Sequence, residues 1–525
     1  MRLIEIDLSP EEYHQPELLR QALQRRGGVV LGEGEEVHVV RRTLDCRRRP
    51  VYHTTIGLGT MPEAVVEELP DGRQGRKVVV VGAGPAGLFA AMQCLRHGLC
   101  PTIVERGKPV EERKHDIARL TREKVVDADS NWCFGEGGAG TYSDGKLYTR
   151  STKRGDVGGV LLQLVAHGAS PDIMLDAHAH IGTDRLGGII ASIRHDLLAH
   201  GAEYRFGSRV EELIVEDGRV KGVRTAAGEA IRGEAVMLAT GHSARDIYQL
   251  FHRQGWLLEA KPFALGVRVV HPQALINEIQ YHGRDHSPLL PPAAYSLTAQ
   301  AGGRGVFSFC MCPGGVVVPA ATADGQQVVN GMSNSRRNSP WANSGIAVTV
   351  DGSDAGGEDA LRLLRFQQEV EQRMFAAGGN AINAPAQRLT DFLRHRASAS
   401  IAPTGYMGET VAAPLHELLP PFIAGALAEG FRTFDRKMRG FVCEEAMLLA
   451  VESRTSSPVR IPRDPQSLQH PQLGGIYPCG EGAGYAGGIV SSALDGIRCA
   501  EAVARQLGAE PISAARHTIK QMGGR

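Results

Sequence analysis

The sequence predicts an α/β protein: a Rossmann-like domain built from two chain segments, an inserted α+β domain, and a small N-terminal α/β module. Three observations carry this. A lysine-valine run at 77–81 leads into Gly82-Ala-Gly84-Pro-Ala-Gly87 and then a helix-spaced stretch. The strand–helix rhythm of residues 76–244 breaks over 245–440 and resumes across 441–525. Residues 1–72 show their own strand and helix patterning ahead of the linker Pro70-Asp-Gly-Arg-Gln-Gly75.

The N-terminal module reads as βαββ, a ferredoxin-like arrangement. Residues 3–8 alternate as a strand, Ser9 caps a helix over 16–24 with Glu12 as capping-box partner, and 37–42 and 50–56 are strands. Arg41, Arg42, Arg47, Arg48 and Arg49 cluster here. Yet residues 1–76 hold eleven Arg and no Lys against thirteen Asp and Glu. A solvated strand edge fits that balance better than a nucleic-acid contact.

In the next segment, 77–81 is a β-branched run of the kind buried on both faces of a parallel sheet. Residues 85–97 place Leu88, Ala91, Met92 and Leu95 on one helical face, and Gly98 ends the helix. The glycines between strand and helix have separate tasks. Gly82 permits the tight turn, Gly84 lets backbone approach a pyrophosphate, and Gly87 lets the helix lie close to the strand. Pro85 and Ala86 open the helix, whose N-terminus offers free amides and a positive dipole end. A second strand ends at Glu105, 18 residues beyond Gly87. A carboxylate there accepts from both ribose hydroxyls of an adenosine and repels a 2′-phosphate.

Later segments choose among dinucleotides. A three-stranded meander follows over 210–231, marked by Asp217-Gly218 and Ala227-Gly228 turns. Then come Met237-Leu-Ala239-Thr240-Gly241 and, far downstream, Gly475-Ile-Tyr-Pro-Cys-Gly480-Glu481-Gly482. This order resembles the glutathione-reductase-type FAD-binding fold, in which Ala-Thr-Gly passes near FAD and a late acidic residue holds the ribityl chain. Glu481 stands here where that fold usually has Asp. Gly488, Ile489 and Val490 then open a helix whose amides would stabilise anionic reduced flavin.

The most unusual stretch is 131–148, with Gly135, Gly137, Gly138 and Gly140 exposing successive N–H groups. Gly138, Ala139, Gly140 and Thr141 are candidates to wrap the pyrophosphate or the flavin edge. Lys146 is a candidate to neutralise a phosphate or a substrate carboxylate. Cys133 is a candidate thiol beside the flavin, although no resolving cysteine lies two to four residues away.

Together with Ala239-Thr-Gly-His-Ser-Ala-Arg245, Cys310-Met-Cys-Pro-Gly-Gly315, Asn330-Gly-Met-Ser-Asn334 and Cys479-Gly-Glu-Gly-Ala-Gly-Tyr-Ala-Gly-Gly488, these blocks resemble bacterial FAD-dependent dehydrogenases, NAD(P)/FAD-dependent oxidoreductases of largely unassigned reaction. The resemblance spans the chain. It implies non-covalent FAD, an FAD domain in two pieces, and an inserted domain roofing the flavin. Arg106, Arg113 and Val210 complete the candidate cofactor contacts.

In the insertion, Arg268 is a candidate for a bidentate carboxylate contact. Arg336 and Arg337 fit a solvated loop better than a contact with an anionic substrate. Strand alternation puts Cys310 and Cys312 on one face, but neither a redox pair nor a metal site is favoured, and no metal is expected. His242, after Ala-Thr-Gly, is a candidate proton donor. No second strand–GxGxxG–helix unit is visible, so NAD(P)H is expected only as a transient electron donor.

Composition is consistent with this. The 525 residues are 42% hydrophobic and 22% charged, ordinary for a globular protein. Lys plus Arg equals Asp plus Glu at 58 each, so no one-sign field draws nucleic acid or anionic membrane. Nine scattered cysteines without CxxC, an acidic N-terminus and no long apolar run point to a cytoplasmic protein. The expected function is an FAD-dependent oxidoreductase passing hydride between flavin N5 and a small molecule bound between the FAD and inserted domains. A flavin-dependent RNA-modifying enzyme and a non-catalytic flavin redox sensor are the alternatives.

Overall fold

The computed structural model describes residues 1–32, 34–149, 155–283 and 288–519. Its centre is a five-stranded parallel sheet in the order Ile476–Pro478, Ala235–Leu238, Lys77–Val81, Cys100–Val104, Glu203–Arg205. The strand furthest along the chain lies at one edge, so the sheet is closed by the second segment. Val78, Val79 and Val80 are fully buried, as a strand covered on both faces requires.

One face carries the helices Pro85–Arg96, Thr183–Ala199 and Ile489–Leu507, packed into one apolar cluster. The first and last of these approach closely. A Cβ at Gly496 would lie 2.1 Å from the Ala86 carbonyl oxygen. The other face carries the antiparallel meander Val210–Glu216, Arg219–Thr225, Ala230–Arg232 and the helix Arg245–Arg253.

The second large sheet has seven strands, in the order Thr298–Ala301, Arg304–Cys312, Trp341–Val350, Phe263–Pro272, Met447–Glu452, Ala384–Arg388, Thr410–Ala412. Its core takes in the helices Arg362–Ala377 and Pro421–Lys437. Met447–Glu452 belongs here, pairing with Phe263–Pro272. The expected return to the first domain at 441 therefore comes later, because an apolar strand at 447–452 reads the same in either sheet.

The N-terminal module is a three-stranded antiparallel sheet, Arg2–Leu8, Val51–Leu58, Val37–Asp45, with two short helices. Ser9 and Glu12 do form a capping box, but on the separate helix Pro10–His14; the helix Pro16–Arg25 starts afresh at Pro16. The arginine cluster splits. Arg42 bonds Tyr13 and Asp176 and ties the module to the main body, and Arg47 pairs with Asp45. Among the described residues no helix is long and apolar enough to cross a membrane.

Candidate functional site

A cleft of about 810 Å³ opens at the carboxyl ends of the parallel strands, where ligands bind in open α/β sheets. Its floor is glycine. Gly82 has φ +105°, a value that strains any other residue. Gly84, Gly138 and Gly140 line the same wall with Ala139. Two helices begin here without a capping side chain: Pro85–Arg96 behind Gly84, and Ile489–Leu507 behind Gly488. Their first-turn amides and positive dipole ends face one cleft, a paired anion site. Pro85, Ala86, Gly488, Ile489 and Val490 all line it.

Glu105 closes one end. Its carboxylate is buried and accepts from the amides of Ala83 (2.9 Å), Gly107 (2.9 Å) and Gly135 (3.1 Å). A carboxylate offers about four lone-pair sites, so three amides leave about one for a ribose hydroxyl, not the two expected. Arg106 sits 4.1 Å over the Phe134 ring and pairs with Asp129 and Asp246. Val210, Ala239, Thr240 and Gly241 complete this side.

His242 and Glu481 meet on the opposite wall, Nδ1 to Oε1 at 3.5 Å. The imidazole Nε2 is buried and has no hydrogen-bond partner among the described residues. Cys133 also lines the cleft, with Sγ 3.8 Å from the Ala320 carbonyl.

Several candidate residues shape the cleft from behind instead of lining it. Arg113 is wholly buried and donates to the carbonyls of Asn131, Glu136 and Gly138 at 2.8–2.9 Å, which pins the glycine-rich loop. Thr141 donates to the Glu136 carbonyl. Gly87 touches its own turn, since a Cβ there would lie 1.9 Å from the Gly82 carbonyl oxygen. Gly480 is fixed by Asp495, which accepts its amide at 2.8 Å.

Arg268 is at odds with a substrate-carboxylate role. Its guanidinium is fully buried, bonded to Glu452 at 2.7 Å and to Asn343 at 2.7 Å. Burial works against its charge, but Glu452 more than offsets that and raises its pKa. Arg337 is likewise taken, by the buried carboxylate of Asp144. Burial raises the Asp144 carboxyl, yet Lys146, Arg337 and Ser333 together hold it below its ordinary value. Lys146 lines the cleft, donates to the Met311 carbonyl and lies 3.6 Å from Asp144. The cleft's far wall is therefore the strand Arg304–Cys312, contributing Ser308, Phe309 and Cys310.

Cys479, Asp495 and Cys499 converge to metal-ligating distances. The cation's place among them is filled by Arg463, 2.6 Å from Asp495 and 3.3 Å from the Cys499 sulfur.

The residues fit FAD. The uncapped helix N-terminus behind Gly84 suits its pyrophosphate and the one behind Gly488 suits the reduced flavin, the glycine floor admits close backbone approach, and the volume falls in the range of cofactor sites. Comparison with known proteins agrees. Residues 77–115 match the FAD binding domain family, and 262–455 match the family described as FAD-dependent protein, C-terminal domain-like. A protein of Clostridium beijerinckii, described as uncharacterized, is 42% identical over 442 residues, covering 83% of this chain and 82% of its own.

The chain belongs to this family of FAD-dependent proteins. Its cofactor is FAD. Solved structures similar to this FAD-dependent protein include CtdE in complex with FAD, at 12% identity, TM-score 0.34 and coverage of 82% of this chain and 84% of that one. A geranylgeranyl bacteriochlorophyll reductase-like protein from Thermoplasma acidophilum has 13% identity, TM-score 0.34 and coverage of 83% and 79%. Similarity at that level has no bearing on what this family member acts on.

Proposed function

We propose that the protein is an FAD-dependent oxidoreductase whose small-molecule substrate binds between the FAD domain and the inserted domain. The observation that carries this is one cleft lined from both sides: the helix N-termini behind Gly84 and Gly488 on one, and Ser308, Phe309 and Cys310 of the insertion on the other. Bound there, FAD supplies two-electron chemistry by hydride exchange at N5. The chain supplies binding and proton handling. The amides of Ile489 and Val490 favour negative charge at the end of the cleft they face. His242 is the proposed proton carrier, passing a proton through Nε2, with Nδ1 turned to Glu481. NAD(P)H is the proposed transient electron donor.

The test is an absorbance spectrum of the purified protein followed by anaerobic titration with NADH and with NADPH. Flavin bands that bleach with one nucleotide support a nicotinamide-linked reductase. Bands that persist with both point to a substrate-reduced dehydrogenase, and a chain that takes up no FAD refutes the proposal.

A further inference from the structure

The strand Arg304–Cys312 is irregular at its end. Its register against Trp341–Val350 shifts between Phe309 and Cys312, and Cys310 has φ +46°, a left-handed conformation uncommon outside glycine. In a regular strand, residues two apart have Cα atoms about 6.6 Å apart, near the upper limit a disulfide spans. A bulge bends the strand and re-aims its side chains, and such bulges recur beside active sites. Here it turns the Cys312 side chain back on Cys310: its thiol donates to the Cys310 carbonyl at 3.3 Å. Cys310 also lines the FAD cleft, and Cys312 is buried behind it.

Two cations converge on this pair. Lys146 Nζ lies 4.0 Å from Cys310 Sγ, and Arg268 donates to the Cys310 carbonyl at 3.4 Å. The Cys312 hydrogen bond first, with Lys146 and Arg268 adding to it against burial, pulls the Cys310 thiol down to about 5, while Cys312 is pushed up. Cys310 is thereby the member of the pair disposed to be thiolate, and Cys312 the one disposed to keep its proton.

We propose that Cys310 and Cys312 form a dithiol–disulfide centre that exchanges two electrons with the flavin in the same cleft. The proposal rests on the FAD reading above. In the oxidising direction one S–S bond forms and the S–H bond of Cys312 breaks. Its proton and two electrons pass to oxidised FAD, which becomes the reduced anion, so charge and atoms balance. The small ring closed by residues two apart makes a strained disulfide, and strained disulfides are the readily reduced ones.

The test is an anaerobic dithionite titration of the air-oxidised, FAD-loaded protein, with a thiol count on the denatured chain. Full reduction should take about four electrons per FAD, two for the flavin and two for the disulfide. Cys310→Ser and Cys312→Ala, the latter adding no polar group to a buried position, should take about two with flavin still bound. The oxidised wild type should show two fewer free thiols than its nine cysteines, with the linkage mapped to Cys310 and Cys312. A two-electron count with flavin bound, or a linkage mapped instead to the buried neighbours Cys479 and Cys499, overturns the proposal alone. A chain that takes up no flavin overturns both this and the cofactor reading.

Discussion

His242 and Glu481 face each other at 3.5 Å across the cleft wall, imidazole Nδ1 to carboxylate Oε1, while Nε2 has no partner among the described residues. A carboxylate on one ring nitrogen fixes the tautomer and leaves the other nitrogen to move a proton. His242→Gln should therefore keep its FAD but lose about 100-fold in steady-state reduction of a quinone acceptor, whose reduction consumes protons. Glu481→Gln should lose less. Equal rates in wild type and His242→Gln would remove His242 from the mechanism.

Gly84 and Gly87 belong to one motif but should fail differently. A Cβ at Gly84 meets nothing nearer than Gly138 Cα at 3.9 Å, so it projects into the cleft. Gly84→Ala should leave apoprotein stability unchanged and weaken FAD by at least about tenfold, or about 1.4 kcal/mol. A Cβ at Gly87 lies 1.9 Å from the Gly82 carbonyl oxygen. Gly87→Ala should cost about 1–3 kcal/mol of apoprotein stability. Thermal unfolding of both apoproteins beside FAD titration separates the two outcomes.

Arg268 and Glu452 form a buried ion pair, and breaking one partner strands a charge. Arg268→Met should destabilise by about 3–5 kcal/mol, and adding Glu452→Leu should recover much of that. Chemical denaturation of the single and double variants checks this. A double variant as unstable as the single one would contradict the pairing as the reason Arg268 is there.

Glu136 is the buried acid of the glycine-rich loop, bonded to the Val110 amide and to Arg194. Burial pushes its carboxyl up to about 7; the Val110 amide and Arg194, which also serves Glu111, pull the other way without overcoming it. The folded state thus holds this proton more tightly than the unfolded chain does. Its contribution is fully present below the unfolded value near 4.5 and fades as pH rises to about 7. Across that window the wild type should lose about 3 kcal/mol relative to Glu136→Gln. Parallel pH profiles of the two proteins would refute this.

Much of the fold was legible because it is written locally. The valine run, the Gly82–Gly87 turn, the meander's Asp-Gly and Ala-Gly turns, and the Gly480–Val490 segment each show period or turn chemistry within a dozen residues. What escaped depends on contacts between distant segments. Arg268 looks free until Glu452 is paired beside it, 184 residues later. Lys146 looks like a phosphate ligand until Met311 and Cys310 arrive from the other sheet. The bulge at Cys310 has no marker in the sequence, since nothing there is glycine. The C-x-C spacing was the available signal, and regular alternation understated it.

The most direct test of the central claim is equilibrium titration of the apoprotein with FAD, FMN and riboflavin, followed by flavin fluorescence. Two helix N-termini sharing one cleft predict one FAD per chain, bound far more tightly than FMN or riboflavin, which lack the pyrophosphate and adenosine that Gly84 and Glu105 serve. Equal affinity for the three, or no binding of FAD, would contradict the account.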